Sequence, residues 1–262
     1  MMGGCGETRL SVATWNINCS RSIDGHMFDP WPTIDVEDLD VVCMQEVELT
    51  QAEVPAFEAK LFDMGYTSTH IALFSPSPLD KTRSIGTVVA SRLPLLSVGT
   101  RRLQNPGQLL GRPEFHDKGL VFADFLLPCA RRLRVTGLHL FPYHFLNIQD
   151  DIDVLRQSWS EVDDELAERA IDPWLILGDF NSQRRAQLLP RVHELGAAGL
   201  FRGEATRTDG RSHDDIYVSK SFRLLAAKNL ATESDHNVLV ALLADPIANG
   251  GSTRDLEKTR LR

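Results

Sequence analysis

Eight polar residues stand where apolar runs of this sequence begin or end: Asn16, Glu46, His139, Asp179, Asn181, Asp214, Asp235 and His236. Carboxylates are hard oxygen ligands, and an ion such as Mg²⁺ takes one or two of them while water and phosphate oxygens fill its other positions. Glu46 and one of the late aspartates suit that task. An imidazole with a pKa of about 6.5 serves as a base at neutral pH when a carboxylate orients its ring. His236 with Asp214 or Asp179 fits that description.

These groups need strands to hold them. Trp174-Leu175-Ile176-Leu177, set between Pro173 and Gly178, predicts a short strand buried on both faces. In the extended backbone beyond it, Asp179 and Asn181 face one side and Phe180 turns back into the core. Residues 10–17 form a second such strand, ending near Asn16, and residues 40–46 a third, ending in Gln45-Glu46. Residues 119–126 and 132–140 read as a hairpin whose second strand reaches His139. His213–Val218 starts another strand, Phe222–Ala226 a short one, and Asp235-His236 precede an apolar strand over 237–243. Strand ends of this kind gather at one rim of a sheet.

Helices are expected over 50–64, with Thr50 and Glu53 in capping-box spacing and Pro55 in the first turn, and over 184–197. From Ile148, the apolar positions Ile148, Ile152, Leu155, Trp159, Val162 and Leu166 recur every three or four residues, as in an amphipathic helix. Its other face, including Asp163, Asp164, Glu165 and Glu168, reads as solvated acid. Residues 20–38 are expected as loop with room for a helical turn, 75–85 as loop, and Gly86–Ser91 as a strand. Thr100 to Lys118 is expected as a long irregular stretch carrying Arg101, Arg102, Arg112 and Lys118.

The 262 residues carry a formal net charge of −8, which argues against a broad basic face that coats nucleic acid. A nuclease that holds phosphate through metal ions and a few arginines is not excluded. One domain is expected over 1–245, with a disordered tail over 246–262 rich in Gly, Ser and charge. The four cysteines form no CxxC pair, and there is neither a signal-peptide pattern nor a long apolar span. A cytoplasmic setting is the expectation.

The ordered set Thr14-Trp15-Asn16-Ile17, Gln45-Glu46, Gly137-Leu138-His139-Leu140, Gly178-Asp179-Phe180-Asn181, Asp214-Asp215-Ile216-Tyr217-Val218-Ser219 and Ser234-Asp235-His236 resembles the endonuclease/exonuclease/phosphatase superfamily, whose members include DNase I. The resemblance implies an α+β fold of the DNase I type, a four-layer α/β/β/α sandwich of two mixed β-sheets flanked by helices. It implies that Glu46 binds Mg²⁺, with Mn²⁺ as a substitute, helped by Asn16 and Asp235. It further implies that Asp179 orients the attacking water and that Asn181 holds a phosphate oxygen. His236 is implied as a general base or as a stabiliser of transition-state charge, with Asp214 as its carboxylate partner. His139 is implied to donate to the scissile phosphate or the leaving oxygen. His213 and Asp215 depart from the usual residues around the aspartate of the penultimate motif, so Asp215 competes with Asp214 as partner of His236. Arg112 and His144 are further candidates for phosphate contact.

The expected activity is Mg²⁺-dependent phosphodiester hydrolysis by in-line attack of water, with nucleic acid favoured as substrate. Arginines 83, 101, 102, 112, 131, 132 and 134 are candidates to line a phosphate track. A small-molecule phosphodiesterase or phosphatase of the same fold is the second reading, and a non-catalytic binding module the third.

Overall fold

The computed structural model describes residues 8–106, 116–142 and 153–245. Arg112, His144, the tail over 246–262 and the first positions of the helix expected from Ile148 lie outside the described residues. Two six-stranded sheets form the centre. The first consists of β1 (Thr8–Asn16), β2 (Val41–Leu49), β3 (Ser68–Pro76), β4 (Ser84–Ser91), β11 (Arg223–Leu230) and β12 (Val238–Asp245), in the order β11-β12-β1-β2-β4-β3. The second consists of β5 (Leu95–Arg102), β6 (Gly119–Leu126), β7 (Arg132–His139), β8 (Trp174–Asp179), β9 (Ala198–Gly199) and β10 (Asp214–Val218), in the order β5-β6-β7-β8-β10-β9. Each sheet has one parallel pair at its centre, β1 with β2 and β7 with β8, flanked by antiparallel neighbours.

Side-chain alternation sorts the apolar residues into three layers of core. Val12, Val41, Cys43, Val135, Leu175, Leu177 and Ile216 pack between the sheets. Their sequence neighbours Ala13, Trp15, Val42 and Met44 turn outward under α1 (Trp31–Val36) and α2 (Val54–Asp63). On the far side, Trp174, Ile176 and Tyr217 pack against α3 (Asp153–Glu168), α4 (Arg185–Leu188) and α5 (Pro190–Glu194) through Trp159, Val162, Leu166, Leu189 and Val192. The result is the four-layer α/β/β/α order, and β8 is buried on both faces.

Several elements differ from the sequence reading for physical reasons. Thr100–Arg102 belong to β5, a sheet edge whose residues are mostly exposed, so its apolar signal is weak. The helix expected over 184–197 is two short ones divided at Pro190, whose ring cannot continue a helix. Of the capping box, one half is present: the Glu53 carboxylate accepts from the Thr50 N–H at 2.8 Å, while the Thr50 hydroxyl donates to that carboxylate and caps nothing. The acidic face of α3 is not all solvated. Asp163 is buried and accepts the backbone N–H groups of Arg191 and Val192 at 2.9 and 3.0 Å, which anchors the start of α5. Glu165 pairs with Arg101 and Arg169.

The sheets approach closely beside the rim where the polar residues gather. A Cβ placed on Gly137, two residues before His139, would lie 2.7 Å from both Cys43 Sγ and Val89 Cγ2 across the gap. Gly137→Ala overpacks this contact. It should cost about 1–3 kcal/mol of stability, read as a lowered denaturant midpoint with an unchanged m-value.

Candidate active site

Register brings the second sheet's contribution into one row. His139 pairs with Asp179 across β7 and β8, and Asp179 pairs with Asp214 across β8 and β10. Asp179 continues the inward parity of Leu175 and Leu177, and Asp214 that of Ile216 and Val218, so both carboxylates enter the space between the sheets. Asp215 takes the opposite parity. It accepts from Arg185 Nε at 2.9 Å and from the Phe201 N–H at 2.9 Å, both partners buried beneath the helical layer. Asp214, not Asp215, touches His236.

From the first sheet, Asn16 follows the inward parity of Val12 at the end of β1. Strict alternation would point Glu46 outward with Met44. A β-bulge between Gln45 and Val47 gives Glu46 a φ of 56° and turns it toward the rim, where it meets Asn16, Lys118 and His139. The loop ahead of β12 is tied to the end of β1. Ser234 Oγ donates to the Asn16 carbonyl at 2.9 Å, and Trp15 Nε1 donates to the His236 carbonyl at 3.2 Å.

The resulting contacts form a ring. His236 Nδ1 lies 2.9 Å from Asp214 Oδ2, which also accepts from Thr206 Oγ1 at 2.7 Å. His236 Nε2 faces Asp179 Oδ2 at 3.8 Å. Asn16 Nδ2 lies 3.1 Å from Asp179 Oδ2 and 3.3 Å from Glu46 Oε1. His139 Nε2 sits 3.5 Å from the same two oxygens. Asn181, at φ 51°, donates its backbone N–H to Asp179 Oδ1 at 2.7 Å, and its Nδ2 reaches Leu140 O at 2.9 Å and Asp179 Oδ2 at 3.2 Å. Asp235 lies on the His236 side, 2.7 Å from Arg207 Nη2. The expected ligands Glu46 and Asn16 are therefore in contact, and Asp235 is held by an arginine.

Two cations in this ring were not among the expected site residues. Lys118 Nζ, 3% exposed as a residue, lies 2.6 Å from His139 Nε2 and 3.8 Å from Glu46 Oε1. Hairpin pairing carries a signal for it, since Gly119 stands opposite His139 in β6 and Lys118 directly precedes it. Arg207 Nη1 closes on His236 Nε2. It comes from a loop, and nothing in the sequence pattern marks it.

Burial and charge set the protonation. Burial opposes a charge on Asp179, but His236 and His139, with His213 and Lys118, outweigh it and hold the carboxyl well below the usual carboxylate range. Burial and the Lys118 charge push His139 well below 6.5, so its imidazole is neutral. Burial likewise lowers Lys118 against the pull of Glu46 and Asp179. For His236, burial favours the neutral ring, but Asp214 and Asp179 prevail and raise its pKa to about 9. Burial raises Asp214, and the neighbouring Asp179 charge adds to it.

The donor set is one that a hard divalent cation takes, because the carboxylate oxygens of Glu46 and Asp179 come together around Asn16, at 3.3 and 3.1 Å from its Nδ2. A second group, Asp179, Asp214 and His236, has its ligand atoms within 4.8 Å of one another. The two neighbouring aspartates of β10 should separate cleanly. Asp215→Ala leaves Arg185 buried without its carboxylate and should cost about 3–5 kcal/mol in chemical denaturation. Asp214→Asn should leave the denaturation midpoint nearer that of the wild type, and equal losses in both would show that the two faces are not distinct.

The fold recurs in solved structures. An endonuclease/exonuclease/phosphatase from Beutenbergia cavernae DSM 12333 superposes with a TM-score of 0.73 at 20% identity, over 90% of this chain and 71% of that one. ANGEL2, a 2′,3′-cyclic phosphatase, gives 0.65 at 16% identity, covering 91% of this chain and 95% of its own. The human Nocturnin catalytic domain with bound sulfate gives 0.63 at 16% identity, covering 90% and 97%. Among curated protein sequences there is no match. Residues 13–236, which span every described site residue, match the Endonuclease/Exonuclease/phosphatase family, and the chain belongs to that family.

Proposed function

We propose that this protein is a divalent-metal-dependent phosphodiesterase that hydrolyses its substrate by in-line attack of water. The observation that carries the proposal is the convergence of Asn16, Glu46, His139, Asp179, Asn181, Asp214 and His236 from two sheets onto one rim. Membership of a family of phosphoric-ester hydrolases supports it. Glu46 and Asp179, with Asp235 once free of Arg207, would hold Mg²⁺ or Mn²⁺, which when bound would polarise a phosphoryl oxygen and neutralise developing charge.

The chain's own residues supply the remaining steps. Asp179, kept ionised, accepts a hydrogen bond from the attacking water and so aims its lone pair at phosphorus. Asn181 spends its amide protons on Asp179 and Leu140 O, so its part is to fix that carboxylate. Neutral His139 presents a ring N–H to the phosphoryl or leaving oxygen. A pKa of about 9 makes His236 an imidazolium at neutral pH, which suits a stabiliser of phosphorane charge better than a base.

The substrate class follows from where the arginines went. Arg83 pairs with Glu48 and Glu53, Arg101 with Glu165, Arg102 with Asp117, Arg131 with Asp245, and Arg132 and Arg134 with Asp124. The last three stand at the hairpin end of β6 and β7, away from His139. Six of the seven arginines considered for a phosphate track are thus bound to carboxylates, and the seventh, Arg112, lies outside the described residues. A small phosphoester, or the end of a chain, is the reading this favours. A nuclease is the second reading, for which Arg184, on the exposed loop after β8, is a candidate phosphate contact.

Hydrolysis of bis-p-nitrophenyl phosphate, mononucleotides and cyclic nucleotides, compared with nicked plasmid and single strands in Mg²⁺ or Mn²⁺, tests the substrate class. Turnover of polynucleotide alone would reverse the preference, and no turnover across the panel would reject the enzyme. His236→Ala should lower kcat by about 10²-fold or more. With imidazolium as the active form, the wild-type rate should hold through neutral pH and fall as pH rises through about 9. A rate that instead climbs toward a plateau above that pH would assign His236 as the base. Glu46→Gln should shift the Mg²⁺ titration to higher concentration, and an unchanged titration would place the ligand elsewhere.

A further inference from the structure

Arg207 occupies the one side of His236 that faces the reaction. The Nδ1 side of the ring is taken by Asp214, so substrate chemistry belongs to Nε2, and around Nε2 stand Asp179 Oδ2 at 3.8 Å, Asp235 Oδ1 at 4.0 Å and Arg207 Nη1. The guanidinium is not a loose surface group. Arg207 forms a backbone bridge with His236, Asn237 N–H donates to Thr206 O at 2.8 Å, and the Arg207 side chain is 16% exposed. Turn contacts hold the loop, with the Thr206 and Arg207 N–H groups both donating to Arg211 O.

An oxygen brought within hydrogen-bond reach of Nε2 therefore also comes within reach of Nη1. A guanidinium is planar, always charged and presents several N–H groups in a fixed fork, the geometry that phosphate oxygens match. Arg207 uses that fork on Asp235 Oδ2, at 2.7 Å, while its Nη1 abuts His236 Nε2. A salt bridge of this kind, with Asp235 partly exposed, is weak enough to be exchanged.

We propose that Arg207 is a phosphate-binding residue of this site, trading its contacts with Asp235 and His236 for a nonbridging oxygen of the substrate's phosphoryl group. The proposal rests on the phosphoester reading above and adds to it a fixed cation on the His236 side, opposite Lys118 on the Glu46 side. Release of Arg207 also frees the Asp235 carboxylate, so phosphate binding and the availability of Asp235 are coupled.

Inorganic phosphate, titrated calorimetrically into the full chain in the presence of Mg²⁺, is the probe. Arg207→Gln should weaken phosphate binding at least about tenfold, and Arg207→Lys should recover part of the loss. Arg207→Ala should regain affinity when guanidinium is added at millimolar concentration. Phosphate affinity within twofold of wild type in Arg207→Gln overturns the proposal. So does a loss of affinity that guanidinium does not restore and that accompanies a lower Tm, since Arg207 would then be a brace for the loop. Wild-type protein indifferent to phosphate overturns it as well. Phosphate binding that depends on Arg207 in a protein that hydrolyses no phosphoester would keep this assignment and remove the hydrolase reading.

Discussion

Desolvation of charge is the constraint on which the arrangement depends. Lys118, His139, Asp179, Asp214 and His236 are each at most 4% exposed, so any one of them left alone would be strongly unfavourable in its charged form. They are tolerated as a set. Asp214 faces His236, Asp179 faces both histidines, and Lys118 faces Glu46 and His139. The same neighbours that make burial possible fix each proton state. Asp179 stays charged because its neighbours, His236 foremost, outweigh the cost of burial, and His139 stays neutral because burial, with the Lys118 ammonium beside it, disfavours its charged form. Removing one member changes the others, so single substitutions at this rim report on the network as well as on one role.

Much of this was legible in the sequence, and its legibility has a physical basis. Strand ends are readable because a buried strand must be apolar until it leaves the core, and Asn16, His139, Asp179 and Asp214 each mark that exit. The family motifs supplied the four-layer fold. What was not legible depends on local backbone geometry or on loops. A period-two pattern sends Glu46 to the wrong face, and only the bulge at Gln45 and Val47 corrects it. The choice between Asp214 and Asp215 is one of parity, settled by Ile216 and Val218 packing between the sheets while Tyr217 packs outside. Arg207 depends on the path of the loop over 206–211, which no periodicity encodes. The edge strands β3 and β5 escaped notice because neither alternates cleanly: β3 mixes Ser, Thr and His among its apolar residues, and β5 exposes Leu95, Leu96 and Val98 as well as its arginines.

The distribution of arginine separates structure from recognition. Arg134 and Arg132 share Asp124, Arg131 is held by Asp245, and Arg185 is spent wholly on Asp215, Ser212 and backbone carbonyls beneath α4. A count of basic residues near a site says little until each one's acceptor is known. Arg207 too is held by a carboxylate, Asp235, but its Nη1 also faces His236 Nε2.

The topology has a consequence for biosynthesis. β12 lies between β11 and β1 in the first sheet, so a strand made early waits for one of the last described strands, and the loop just ahead of that late strand carries His236. A partly translated chain thus lacks both the imidazole and the hydrogen-bonded neighbour that holds Asn16 in place. The cluster at the rim is therefore complete only once the closing strand has been made and has paired with β1.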